Sequence, residues 1–301
     1  MRDDAAAAEL VAFLAGKGLL ADAGAVSLEP LTGGYWNAVR RLRGEGRDWV
    51  LKSFLQGSTN RLFPVLPDQE AAALEFLGPL ELSPEFVAYL PEAPGGPLLV
   101  YEFVEGEPWR EDVAAAAALF GRLHGLSPPD VFRRLRTTPA GLLEQADAIL
   151  ADAPARSPAR KRLDALRPSA RDLGEPARLC LVHTDCGPGN LLVGPAGLRL
   201  IDWQCPGRGD ACEDLACFLS PAMQILYGRP PLTGDQQAAF LATYVGQDAL
   251  ARLPDIRRFF HWRTAAYCLF RRDDLSDVDP LTSARYADAL EAELDLLEAL
   301  A

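Results

Sequence analysis

The stretch that decides the reading is Leu181-Val182-His183-Thr184-Asp185-Cys186-Gly187-Pro188-Gly189-Asn190, followed after a short interval by Arg199-Leu200-Ile201-Asp202-Trp203. Residues 178–182 and 197–201 read as short apolar strands, with a further strand and turn over 191–197 between them. Such an arrangement delivers Asp185, Asn190 and Asp202 to the same edge, where two carboxylates and one amide can converge. Transfer of a phosphoryl group needs a carboxylate to orient the attacking hydroxyl. It also needs carboxylate and amide oxygens to hold the magnesium that neutralises nucleotide phosphates. Each of the three residues could instead be a plain turn-former among Gly187, Pro188 and Gly189. Their order, with an apolar strand ahead of each acid, favours the chemical reading: Asp185 as the base, Asn190 and Asp202 as metal ligands.

Working outward, the N-terminal third reads as strand-rich. A helix is expected over residues 5–17 with Asp3 or Asp4 as its cap, then strands over 26–31, 35–42, 48–55, 86–90 and 98–103. Gly33-Gly34 between the first two strands reads either as an ordinary hairpin turn or as a flap whose amides lie over phosphates. Lys52 sits mid-strand in Trp49-Val50-Leu51-Lys52, where an unpaired ammonium would be costly, so it either meets phosphates or snorkels to solvent. Residues 69–77 form a strong helix carrying Glu70 and Glu75, either of which could pair with Lys52. Glu70, nearer the helix start, is the preferred partner.

After residue 104 the pattern turns helical, which divides the chain into residues 1–104 and 105–301. Helices are expected over 111–125, 141–150, 159–166, 234–246, 255–271 and 283–300. The segment Phe259-Phe260-His261-Trp262-Arg263 with Tyr267, followed by Asp273, Asp274, Asp277 and Asp279, reads as core at helical spacing. Its alternative is an aromatic and acidic surface for an amine. The last helix places Leu290, Leu294, Leu297 and Leu300 on one side with acids opposite.

Composition narrows the partners. Thirty basic and forty-two acidic residues leave a net charge of −12, which argues against nucleic acid and anionic membranes and suits a cationic small molecule. No apolar run approaches the ~18 residues of a membrane-crossing helix, and the acidic start is unlike a secretory signal, so a cytoplasmic address is expected. Six cysteines in 301 residues are too sparse for a disulfide scaffold and lack the spacing of a zinc site.

These residues resemble the aminoglycoside phosphotransferase and choline kinase-like superfamily, small-molecule relatives of the protein kinases. The resemblance runs over most of the chain, through Gly33-Gly34-x-x-Asn37, Lys52, Glu70, His183-Thr-Asp185-x-x-Pro188-Gly-Asn190, Ile201-Asp202-Trp203 and Asp214-Leu215-Ala216. It implies an α+β, bilobal protein-kinase-like fold with an N-terminal nucleotide-binding lobe and a C-terminal catalytic lobe. It further implies transfer of the terminal phosphate of ATP, with GTP as the alternative, to a hydroxyl of a small molecule. Asp185 would be the base, Asn190 and Asp202 the Mg2+ ligands, and Lys52 the phosphate-binding lysine with Glu70 as its partner. Gly33, Gly34 and Asn37 would belong to the nucleotide flap. His183 would brace the loop, and Asp214 would cap the next helix and tie the loop down. The chain departs from the family pattern at Thr184, where glycine is common, at Cys186-Gly187, which replace an apolar–His pair, and at Gln204. A nucleotide-binding regulator without catalysis is the alternative from another class.

Overall fold

Successive side chains of a strand point to opposite faces, and in Trp49-Val50-Leu51-Lys52 both faces are buried. The computed structural model, which describes residues 2–31, 37–55, 60–151, 153 and 157–301, shows what covers them. The chain begins with α1 (Arg2–Gly16), then β1 (Val26–Pro30), β2 (Asn37–Gly44) and β3 (Arg47–Phe54), α2 (Pro67–Leu77), β4 (Phe86–Leu90) and β5 (Leu98–Glu102). The strands form one antiparallel sheet in the order β1-β2-β3-β5-β4. Leu10, Val11 and Leu14 of α1 pack with Leu42, Trp49, Leu51, Leu98 and Val100, which fill one face of the sheet. Lys52, one residue out of phase with Leu51, therefore lies on the other face, where α2 brings Glu70. Helix α1 starts at Arg2, earlier than expected, so Asp3 and Asp4 lie within it.

The remainder is mainly helical, as the α+β assignment requires. It runs through β6 (Glu107–Pro108), α3 (Val113–His124), α4 (Pro139–Leu150), α5 (Pro158–Ala165), β7 (Cys180–Val182), β8 (Leu191–Gly194), β9 (Gly197–Leu200) and β10 (Gly207–Gly209). Then come α6 (Cys212–Leu219), α7 (Pro221–Leu226), α8 (Gly234–Thr243), α9 (Gln247–Leu275) and α10 (Pro280–Ala299). Two compact units result: Met1–Gly106 with Gly194–Cys205, and Glu107–Val193 with Pro206–Ala301. The segment that carries β9 and Asp202 thus belongs to the first unit, although it lies late in the sequence.

In the second unit α9 packs against α10, α4 and α6, and α3 against α8. Helix α9 runs through Pro254 and so begins eight residues before the expected start at 255. Pro254 is exposed, the side on which water most readily replaces the missing helix hydrogen bond. An aromatic cluster closes the α3–α6–α8 contact. Phe218 stacks on Phe240 at 4.8 Å between ring centroids and meets Trp109 and Phe120 edge-on at 5.3 and 5.4 Å. On α10, Leu290, Leu294 and Leu297 are buried as expected, but Glu293 is buried with them. It accepts from Ser220 and meets His261 Nδ1 at 3.0 Å, so one of the acids read as solvent-facing is an internal hydrogen-bonding group. Among the described residues no helix is long and apolar enough to cross a membrane.

Phe218→Ala removes the ring shared by all three contacts and is expected to cost about 3–5 kcal/mol of stability, measured by urea denaturation.

Candidate active site

The first group of candidate residues gathers in the first unit. Lys52 is 2% exposed, and its Nζ donates to both oxygens of Glu70 at 2.8 and 2.7 Å and to Asp202 Oδ1 at 2.5 Å. Glu70, in the first turn of α2 where acids suit the helix dipole, is buried, whereas Glu75 is exposed and takes no part. The Asp202 segment is held against α2: Leu66 N donates to Gln204 O at 2.9 Å, and the Trp203 backbone donates to Glu70. Burial works against the Lys52 charge, but Asp202 and Glu70 more than offset it and hold the ammonium above the ordinary lysine value. Glu70 is the closed end of the arrangement. The Asp202 side chain, 39% exposed, is the open end.

The second group lies in the second unit, on the turn after β7. Asp214 Oδ2 accepts from His183 N and Oδ1 from Thr184 N, both at 2.8 Å. The same Oδ2 meets His124 Nε2 at 3.1 Å, and His124 Nδ1 meets the Tyr244 hydroxyl at 2.8 Å. A fully buried carboxylate thereby fixes two successive amides immediately before Asp185. Asp214 does tie the loop, but the capping bond to α6 comes from Asp210, whose Oδ1 accepts from Cys212 N at 2.9 Å. Farther along the turn, Asn190 Nδ2 donates to the Asp185 carbonyl at 2.7 Å and Asn190 N to Gly187 O at 3.0 Å. The amide group is thus oriented by its nitrogen, which leaves its oxygen for other work.

Two of these residues hold left-handed backbone, Thr184 at φ 72° and Asp202 at φ 60°. For a β-branched residue this costs about 1–2 kcal/mol and persists only where its surroundings demand it. The left-handed turn accounts for the glycine that the family resemblance leads one to expect at position 184, and the Asp214 bond to Thr184 N supplies the demand here.

Not every expected site residue joins these groups. Gly33 and Gly34 lie outside the described residues. Asn37, which opens β2, is buried, and its Oδ1 has no hydrogen-bond partner among the described residues. The aromatic stretch of α9 is interior: Phe259, Phe260, His261, Trp262 and Tyr267 are all buried, and Trp262 Nε1 donates to Leu163 O at 3.0 Å. Three of the four nearby acids are also occupied, while Asp277 is exposed. Asp273 pairs with Arg272, Asp274 with Arg271, and Asp279 caps α10 by accepting from Thr282 N. That stretch is therefore core and not an amine-binding surface. His124, which from sequence alone reads as a helix-end packing residue, is missed as a link to Asp214. Its only signal is a histidine at the end of an otherwise apolar helix.

Each expected metal ligand carries a hard oxygen donor, the Asp202 carboxylate in the first unit and the Asn190 amide oxygen in the second, the donor type that suits Mg2+. Among the described residues there is no cluster of three or more His, Cys, Asp or Glu side chains that could hold a metal ion.

Residues 27–260 match the phosphotransferase enzyme family, and the chain belongs to it. The fold is similar to that of the choline kinase LicA from Streptococcus pneumoniae, at 20% identity and a TM-score of 0.60 over 89% of this chain and 93% of that one. A protein of Ralstonia eutropha JMP134 assigned to the aminoglycoside phosphotransferases aligns at 17% identity and 0.67 over 97% and 96%. A spectinomycin phosphotransferase solved with ADP and spectinomycin aligns at 12% identity and 0.55 over 91% and 93%. No curated protein sequence matches the chain.

Two stability measurements probe these networks. Lys52→Met strands Glu70 as a buried charge and is expected to cost about 3–5 kcal/mol, most of it regained in Lys52→Met/Glu70→Leu, as read from urea denaturation. For Asp214, burial would raise the carboxyl, but its bond to His124 and the charge and amide of His183 outweigh burial and hold it below the ordinary 3.8. A depressed carboxyl stabilises the fold fully above its unfolded value, and that contribution is lost as pH falls through the folded value. The stability gap between wild type and Asp214→Asn is therefore expected to be widest near neutral pH and to narrow on acidification below 3.8.

Proposed function

We propose that this chain is a small-molecule kinase that moves the terminal phosphate of ATP to a hydroxyl of a small, amine-bearing alcohol. The observation that carries the reading is the Lys52 ammonium, buried on Glu70 yet also reaching the partly exposed Asp202. A purely structural lysine would need only one partner. A lysine held rigidly by a closed carboxylate and aimed at an open one is placed to receive phosphate oxygens. Membership of the phosphotransferase family and the shared fold of an ADP-bound spectinomycin phosphotransferase support the nucleotide. The net charge of −12 and the fold shared with a choline kinase support an amine-bearing acceptor.

Each residue then takes a role. In the first unit, Lys52 draws charge from the phosphate oxygens while Glu70 keeps its side chain extended, and Asn37 lies at the start of the strand that follows the Gly33-Gly34 flap. Asp202 and Asn190 would hold Mg2+, which supplies charge neutralisation on the phosphates when bound. In the second unit, the Asp185 carboxylate accepts the proton of the acceptor hydroxyl as that oxygen bonds to the terminal phosphorus, and the bond from phosphorus to the departing ADP oxygen breaks. Catalysis on this account is mostly positioning and electrostatic stabilisation. The first unit serves nucleotide binding and the second the acceptor. The six cysteines, none in a disulfide among the described residues, fit a reducing, cytoplasmic setting.

The test is Mg2+-dependent phosphate transfer from ATP to a panel of choline, ethanolamine, other amino alcohols and aminoglycosides, with GTP as competing donor. Turnover of at least one acceptor is expected, reduced about 10²–10⁴-fold in Asp185→Ala with folding intact. Nucleotide-induced thermal stabilisation without turnover in either protein would mark a nucleotide-binding regulator instead.

A further inference from the structure

Gly187 and Gly189 flank Pro188 in the turn between Asp185 and Asn190, and neither has a backbone that calls for glycine. Gly187 is extended at φ −63° and ψ 165°, and neither residue has positive φ. What excludes a side chain is one ring. A Cβ on Gly187 would lie 2.3 Å from Tyr227 Cε2 and 2.8 Å from Cδ2. On Gly189 it would lie 2.2 Å from Cδ1 and 2.3 Å from Cε1. Opposite edges of the Tyr227 ring therefore rest on the two glycines, and the ring spans the turn like a clamp.

The ring hangs from a rigid base. Tyr227 follows α7, and Gly228, at φ 73°, turns the chain so that Gly228 N donates to Ile225 O at 2.8 Å and Arg229 N to Gln224 O at 2.9 Å. Gln224, fully buried, donates through Nε2 to Phe218 O at 2.9 Å, and the Arg229 guanidinium sits 5.1 Å from the Trp109 ring centroid. The base is thus fastened to the aromatic cluster of the second unit. The same turn carries the two Asn190 bonds, to the Asp185 carbonyl and to Gly187 O.

We propose that Tyr227 is a positioning residue for phosphoryl transfer: seated on Gly187 and Gly189, its ring sets the span between Asp185 and Asn190. The glycine pair and the ring form one device, in which the loop gives up its own side chains so that a distant helix end can hold it. For its catalytic consequence the proposal rests on the kinase reading above, while the clamp itself can be tested without turnover.

The experiment combines amide hydrogen exchange at Asn190 with kinetics for Tyr227→Ala, Tyr227→Phe, Gly187→Ala and Gly187→Ala/Tyr227→Ala. Tyr227→Ala is expected to speed Asn190 exchange at least about tenfold while the exchange of α9 and the melting temperature stay near wild type. Its kcat falls about 100-fold with the nucleotide KM within about twofold, and Tyr227→Phe, which keeps the ring, retains both properties. Gly187→Ala disturbs the turn while the ring is present, and in the double variant it adds no further cost, a coupling that independent sites would not show. Unchanged Asn190 exchange in Tyr227→Ala, or additive effects of the two alanine substitutions, would overturn the proposal. Should wild type transfer no phosphate, the kinase reading fails alone, and the exchange and coupling results still decide the clamp.

Discussion

A buried ammonium must be paired, and the first unit is arranged around that requirement. Lys52 is presented by a central strand whose opposite face, through Leu51 and Trp49, is committed to α1. Its charge is tolerable only because α2 places Glu70 within 2.8 Å and because the Gly194–Cys205 segment adds Asp202. Three parts of the sequence far from one another are thereby fixed by a single side chain. Removing the lysine would leave a buried carboxylate without compensation, so structure and chemistry at this site are difficult to separate by single substitutions. The double replacement of Lys52 and Glu70 is what distinguishes them.

The second unit solves a different problem, which is to hold a short loop in a strained shape. Thr184 is left-handed, and the two successive amides that lead into that turn, of His183 and Thr184, are pinned from within by Asp214, itself held by His124 and, through it, Tyr244. Farther along, the turn has no long side chains of its own between Cys186 and Asn190, and Tyr227 covers it from outside. Internal polar ties and an external aromatic cover are complementary, since buried hydrogen bonds fix direction while packing limits displacement.

Much of this was legible in the sequence where local pattern carries the information. The strand alternation around Lys52, the helix signals around Glu70 and the Asp185, Asn190 and Asp202 spacing all depend on residues close together in the chain. What escaped depends on distant partners. Strand β10, Gly207-Arg208-Gly209, has no apolar pattern to announce it and exists because it pairs antiparallel with β7 under Leu135. Glu293 looks solvent-facing by helical position and is instead buried on His261 and Ser220. The α9 aromatics fit either a core or a ligand surface until neighbouring α4, α6 and α10 cover them. Tyr227 carries no sequence signal at all, because its role is visible only in the space missing above two glycines.

The partly exposed Asp202 carboxylate beside Lys52 is proposed to serve a metal–nucleotide complex. Calorimetric titration of ATP into the protein, with and without Mg2+, for wild type and Asp202→Asn tests it most directly. Binding to wild type is expected to strengthen with Mg2+, and Asp202→Asn is expected to lose that Mg2+ dependence. Equal ATP affinity with and without Mg2+ in wild type, or an Asp202→Asn protein that keeps the full metal dependence, would contradict it.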